Sequence, residues 1–191
     1  MKDVVVIGGP NGAGKTTSAS VVVPEMLGIT EFVNADEIAR GLSPFNPEAQ
    51  AVAAGRLMLT RMRALMQDGE SFAFETTCAG RGHIRTFVEC RSADYRVTLI
   101  YLWLPSPDIA VARVARRVAQ GGHHIPEDVI RRRYSLGLRN MLQLYLPVAD
   151  VAYICDNSDE RRVLIAEQKP ESGLSIYDRR RWNLMKEAVR D

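Results

Sequence analysis

The chain has 191 residues, 46% hydrophobic and 25% charged, with 25 Lys and Arg against 23 Asp and Glu for a formal charge of +2. That length and composition fit one globular domain with a substantial core and exclude a disordered, collagenous or low-complexity chain. Near-balanced charge argues against a general nucleic-acid coat, and Cys78, Cys90 and Cys155 lack metal-ligand spacing, reading as buried thiols of a reducing compartment.

The first predicted element is a strand, Val4 to Ile7, a β-branched run without polar alternation, as a fully buried parallel strand requires. It is too short for the apolar region of a signal peptide, and no run of 18 apolar residues exists to span a bilayer, so a cytoplasmic protein is expected. A glycine loop follows, then a helix from Thr16 to Val23 that Pro24 should end. A second strand is expected near Thr30 to Asn34, and a short helix from about Asp36 to the Gly41–Pro47 turn. Glu48 to Gln67 reads as helical, with Val52, Leu59, Met62 and Met66 on one stripe and Gly69 as the stop. Ser71 to Glu75 and Arg96 to Leu104 read as strands flanking a helix at His83 to Ser92. Tyr101 and Trp103 belong to the core. A helix runs from the Pro105–Pro107 turn to about Gln120, and a longer one from Pro126 to about Leu146. The latter has a stripe of Ile130, Tyr134, Leu138, Met141 and Tyr145. Val151 to Cys155 is the fifth strand. A short strand at Val163 to Ala166 and a helix at Arg179 to Ala188 extend the same domain. Strands alternating with helices predict a three-layer α/β fold with a mainly parallel sheet.

Gly9-Pro10-Asn11-Gly12-Ala13-Gly14-Lys15-Thr16 fits the phosphate-loop pattern G-x-x-x-x-G-K-[ST], between a buried strand and a helix. Glycines let the backbone wrap phosphate, and the helix start adds free amides and a positive dipole end. Lys15 is expected on the β- and γ-phosphates, Thr16 on Mg²⁺ and Thr17 beside them.

Other signals decide among users of such a loop. The guanine-reading Asn-Lys-x-Asp of GTPases is missing, and the fourth strand ends in Leu104-Pro105 without the acid of motor ATPases. Acids stand instead at two other strand ends, Asp36 with Glu37 and Glu75, where ligands of open α/β sheets bind. Asp36 can take the proton of an attacking hydroxyl or cap its helix, and Asn34 can do either job. Glu75 can bond a substrate or a Mg²⁺-bound water, or pair with an arginine. Seven arginines (113, 116, 117, 131, 132, 133 and 139) face only Glu127 and Asp128 across a glycine hinge, which suits a lid over polyphosphate. Neighbouring helical residues diverge by about 100°, so only some can enter one site. Arg117 and Arg132 are the expected pair, with Arg113 near the nucleotide. His123 and His124 lack a third ligand for zinc and are assigned to the hinge or the substrate. Asp156-Asn157-Ser158 can close around adenine or simply turn the chain.

Together, Gly8 to Thr16, Asn34-Ala35-Asp36-Glu37-Ile38-Ala39, Phe72-Ala73-Phe74-Glu75-Thr76-Thr77 and Gly121-Gly122-His123-His124-Ile125-Pro126 resemble the zeta toxin family, over Val4 to about Ser158. The likeness is to its compact chromosomal branch, called predicted ABC-type ATPases, although no transporter signature is present. The resemblance implies a P-loop kinase fold with a five-stranded core sheet and an arginine-rich lid at about 113–140. One domain would span 1–191, with a C-terminal extension from about 159. It implies ATP and Mg²⁺ as cofactors and phosphorylation of UDP-N-acetylglucosamine at the 3′-hydroxyl of the amino sugar. Lys15, Asp36, Arg117 and Arg132 would be catalytic, with Asn34, Glu75, Thr76, Thr77 and Arg81 on the substrate. An antitoxin blocking the nucleotide site is a partner the family implies; nucleic acid and membrane are not. Phe74-Glu75-Thr76-Thr77 departs from the glycine-containing segment of the plasmid-borne toxins. The rival reading is an ATPase or switch acting on a protein partner.

Overall fold

The computed structural model describes residues 2–122 and 124–189, and His123 lies outside the described residues. At its centre is β1 (Lys2–Gly8). Val4 and Val6 point into one core and Val5 and Ile7 into another, so both faces of the strand are covered and no polar alternation survives. Around it lie β2 (Glu31–Val33), β3 (Phe72–Thr76), β4 (Tyr95–Trp103) and β5 (Val151–Asp156). The sheet order is β2-β3-β1-β4-β5, followed by β6 (Val163–Lys169) and β7 (Gly173–Ile176). The first five strands pair in parallel and form the expected core sheet, while β6 and β7 add an antiparallel edge. The sheet therefore has seven strands, and β7 went unpredicted: its four residues are mostly exposed and carry no periodic signal.

Among the described residues seven α-helices cover the faces: α1 (Lys15–Val21), α2 (Ala35–Leu42), α3 (Ala51–Asp68), α4 (Gly82–Ser92), α5 (Pro107–Ala119), α6 (Glu127–Asn140) and α7 (Arg179–Glu187). Two boundaries and the phase of one helix differ from expectation for physical reasons. Pro24 does not end the first helix; the chain widens into a π-type turn at Val22–Met26, which absorbs the missing amide. The helix expected from Glu48 begins as a 3₁₀ turn, Pro47–Gln50, before α3. The buried face of α3 is Ala54, Met58, Met62 and Leu65, and Val52 is 70% exposed. Ala54 is too small to mark a stripe by hydropathy, so the predicted phase was drawn through the wrong first-turn residue.

The stripe on α6 is buried as predicted, with a π-type turn at Met141–Tyr145 carrying the helix to Leu146. Its two halves serve different cores. Ile130 and Tyr134 pack with Val5, Leu104 and Val114, whereas Leu138, Met141 and Tyr145 pack with Phe74, Phe87 and Trp103. Tyr134 donates its hydroxyl to the Leu104 carbonyl at 2.7 Å and Asn140 donates to the Cys78 and Ala79 carbonyls at 2.9 Å. The helix thus crosses the carboxyl ends of the strands, fastened to the chain just past β4 and β3. Cys78, Cys90 and Cys155 are buried and unbridged, and among the described residues no helix is long and apolar enough to cross a membrane.

Candidate active site

The turn from β1 to α1 is backbone built around a vacancy for side chains. Gly9, Gly12 and Gly14 have φ of 144°, 78° and 80°, in the region that favours glycine. A Cβ on Gly9 would sit 2.4 Å from the Leu102 carbonyl oxygen, and one on Gly12 would sit 2.9 Å from that of Ala110. Ala13 is fully buried beneath the loop, and its amide donates to the Pro10 carbonyl. Lys15 folds back inside, 8% exposed, donating Nζ to the Pro10 carbonyl at 3.1 Å. Burial pushes its pKa down, against the opposing pull of Glu75 and Asp36. Asn11 is also buried, and its Oδ1 finds no hydrogen-bond partner among the described residues. The buried lysine rests on a carbonyl of its own loop, a partner that phosphoryl oxygens can replace, whereas the Asn11 oxygen is an acceptor and calls for a donor.

Parallel pairing of Ile7 with Glu75 sets that carboxylate beside the start of the loop. Glu75 Oε2 accepts a 2.8 Å hydrogen bond from Thr16 Oγ1. These residues, with Asn11, Lys15, Thr17, Asn34, Asp36, Arg40, Arg113 and Arg117, line a phosphate-side cavity of about 230 Å³. A larger cavity of about 370 Å³ adjoins it, walled by α2 (Ala35, Asp36, Ala39, Arg40), by Pro47, Glu48 and Ala51, and by His124, Ile125, Pro126, Val129 and Arg133. Asp36 and Arg40 line both cavities.

Asn34 caps α2, its Oδ1 accepting from the amides of Asp36 at 2.7 Å and Glu37 at 3.3 Å. Capping therefore falls to Asn34, and Asp36, two residues on, is left to face the cavities. Arg40 stands one turn from Asp36 on the same face of α2 and pairs with Glu37 at 3.1 Å. That four-residue spacing was legible in the sequence and was overlooked. Arg113 is a brace: its guanidinium donates to the carbonyls of Gly12 at 3.4 Å, Asn157 at 2.8 Å and Ser158 at 2.5 Å.

Other predicted residues stand elsewhere. Arg132 is exposed and lines neither cavity; Arg133 is the lining arginine on α6. Arg131 is engaged with Asp108 at 2.7 Å and Glu127 at 2.8 Å. Arg81 is exposed at the start of α4 and lines neither cavity. The Thr76 and Thr77 hydroxyls accept from the amides of Cys78 and Ala79, shaping the loop after β3 rather than lining a cavity. Cys78 adopts a left-handed φ of 59° in that loop, and burial pushes its thiol up to about 12. Tyr145 donates to the Gly80 carbonyl at 2.6 Å, and a Cβ on Gly137 would meet the Thr77 carbonyl oxygen at 2.3 Å. Asn140, Tyr145 and Gly137 were missed because they sit within or beside an apolar stripe that reads only as core. Among the described residues no cluster of three His, Cys, Asp or Glu could hold a metal by itself.

Residues 4–135 match the family model described as an AAA domain. A protein of Haemophilus influenzae, described as uncharacterized, is 29% identical over 126 residues, 66% of this chain and 88% of its own length. Among solved structures, one from the PezAT chromosomal toxin–antitoxin system of Streptococcus pneumoniae superposes with a TM-score of 0.68 at 15% identity, over 98% of this chain and 78% of that one. A crystal structure of AvrRxo1-ORF1:-ORF2 with ATP gives a TM-score of 0.74 at 14% identity, over 99% of this chain and 64% of that one. At these identities the two structures share its fold.

Proposed function

The chain belongs to the AAA domain family, and from that premise we propose that it is an ATP- and Mg²⁺-dependent kinase transferring the γ-phosphate to a hydroxyl of a small acceptor. The observation that carries the reading is the meeting of two cavities at one carboxylate: Asp36 faces both the phosphate loop and the larger, partly apolar space beside it. A pure ATPase needs only the first. The resemblance to zeta toxins puts a nucleotide sugar such as UDP-N-acetylglucosamine first among acceptors.

In this reading the loop amides and Lys15 hold the β- and γ-phosphates, Lys15 leaving the Pro10 carbonyl for the phosphoryl oxygens. The acceptor lies between α2 and the start of α6 with its hydroxyl toward Asp36. Its oxygen bonds to the γ-phosphorus as the bond to the β–γ bridging oxygen breaks; Asp36 takes the hydroxyl proton and ADP leaves. Arg117 and Lys15 offset the charge that builds on the transferring group. The Thr16 hydroxyl and the Glu75 carboxylate, 2.8 Å apart, are the residues fitted to hold Mg²⁺, which would neutralise the bridging phosphate charge. Because Arg133 lines the larger cavity and Arg132 does not, this reading gives the α6 contact with the acceptor to Arg133. A protein inhibitor covering the phosphate cavity is the partner this reading adds, since the PezAT structure comes from a toxin–antitoxin system.

Mass spectrometry of Mg²⁺-ATP reactions with UDP-sugars, nucleosides and polyols tests the proposal, with Lys15→Ala as blank. A product heavier by one phosphoryl group, absent from the blank, is expected. ADP release without any phosphorylated acceptor would overturn it in favour of an ATPase acting on a protein.

A further inference from the structure

Beyond the site itself, the C-terminal segment is wired to the phosphate loop. Asp156 ends β5 and is 3% exposed. One of its carboxylate oxygens accepts from Arg181 Nε on α7 at 2.7 Å, and the other from the Ser158 amide at 2.9 Å. The second bond closes a turn that presents the carbonyls of Asn157 and Ser158 side by side to the Arg113 guanidinium. Arg113 in turn reaches the Gly12 carbonyl, and Asn157 Nδ2 donates to the Ala13 carbonyl at 2.7 Å. Two carbonyls of the phosphate loop are therefore held by a turn whose shape depends on a buried carboxylate, and that carboxylate has its counter-charge on the last helix.

We infer that Arg181 is a positioning residue for nucleotide binding: paired with Asp156, it fixes the Asn157–Ser158 turn and through it the outer edge of the phosphate loop. The inference rests on the nucleotide-binding reading above. A buried carboxylate deprived of its charged partner must turn to other donors, and that change disturbs the turn. The side-chain hydrogen bonds of Arg181 go to Asp156 and Asp178, so its link to the phosphate loop runs through Asp156. Its other partner, Asp178, caps the same helix and ties Arg181 to α7.

The test uses the full chain with Arg181→Met, which keeps the apolar stem and removes the charge, and Arg181→Lys, which restores a cation. Titration calorimetry should show the Kd for Mg²⁺-ATP raised about tenfold in the methionine variant and largely recovered in the lysine variant. Hydrogen exchange in the nucleotide-free protein should quicken at the Ser158 amide and at the amides of residues 12–16. An unchanged Kd with unchanged exchange at 12–16 would overturn the inference, even if the melting temperature fell, because a structural role alone gives that result. If the wild type binds no Mg²⁺-ATP, the kinase reading fails, and exchange at 12–16 still decides whether Arg181 governs the loop.

Discussion

The two cavities that meet at Asp36 are made of different material. On the phosphate side one wall is a backbone turn, with glycines at positive φ and one buried lysine within eight residues of sequence, faced by side chains from α2, β3 and α5. The larger cavity, the acceptor side in the proposed reading, is side chains gathered from α2, the turn before α3, and the segment that opens α6. A backbone cradle tolerates no Cβ and fixes its ligand class. A side-chain wall is open to substitution and sets which hydroxyl is presented. On the proposed reading, generic phosphate chemistry would sit in the first cavity and selectivity in the second.

The largest effect expected on this contrast is from Lys15→Met. It should abolish transfer while leaving the melting temperature of the free protein unchanged or higher, because burial disfavours the charged amine it removes. The sign is consistent with titration. A lysine with lowered pKa binds its proton less well folded than unfolded, so its contribution to stability improves as pH rises toward the ordinary lysine value. Calorimetric melting across that range beside an activity assay checks both halves; a variant that melts markedly lower would deny that the lysine is held at a cost.

Asp36→Asn comes next, because it sits on the boundary. It should cut kcat by about 10²–10⁴ while leaving the Kd for Mg²⁺-ATP unchanged. Transfer at the wild-type rate would remove Asp36 from the role of base.

Paired arginine variants probe the acceptor wall alone. Arg133→Ala should raise the acceptor KM by about 10–100-fold, the value of a charge-assisted hydrogen bond, with nucleotide KM little changed. Arg132→Ala should alter neither. The reverse result would return the role to Arg132. The smallest effect expected is from Asn140→Ala, which leaves the Cys78 and Ala79 carbonyls unpaired. It should lower stability by about 1–3 kcal/mol and loosen the loop behind Glu75, read by denaturant unfolding and by exchange at residues 76–82.

The same contrast explains what was legible in the sequence. The phosphate loop could be read because its glycine spacing encodes backbone shape, and β1 because two covered faces leave an unbroken apolar run. The stripe on α6 was read correctly, yet it held an unused clue. With Ile130 and Tyr134 inward, Arg132 stands about 200° around the helix from Ile130, on the outer side, while Arg131 and Arg133 flank the buried face. Arg131 is taken by Asp108 and Glu127, which leaves Arg133 for the cavity. Asn140 and Gly137 gave no such clue, since their partners are backbone atoms some sixty residues away, past the end of β3. The Asp156–Arg181 pair is likewise a product of topology, joining β5 to a helix 25 positions later.

The arginine-rich region expected as a lid includes α6, which packs its two halves into both cores and bonds to the chain past the ends of two strands, so the wall that carries Arg133 is anchored toward both of its ends. On the proposed kinase reading, acceptors would be sorted by their fit to the gap between α2 and the start of α6. Enlarging that gap without unseating the helix means trimming the opposite bank, at Ala39, Pro47 and Ala51.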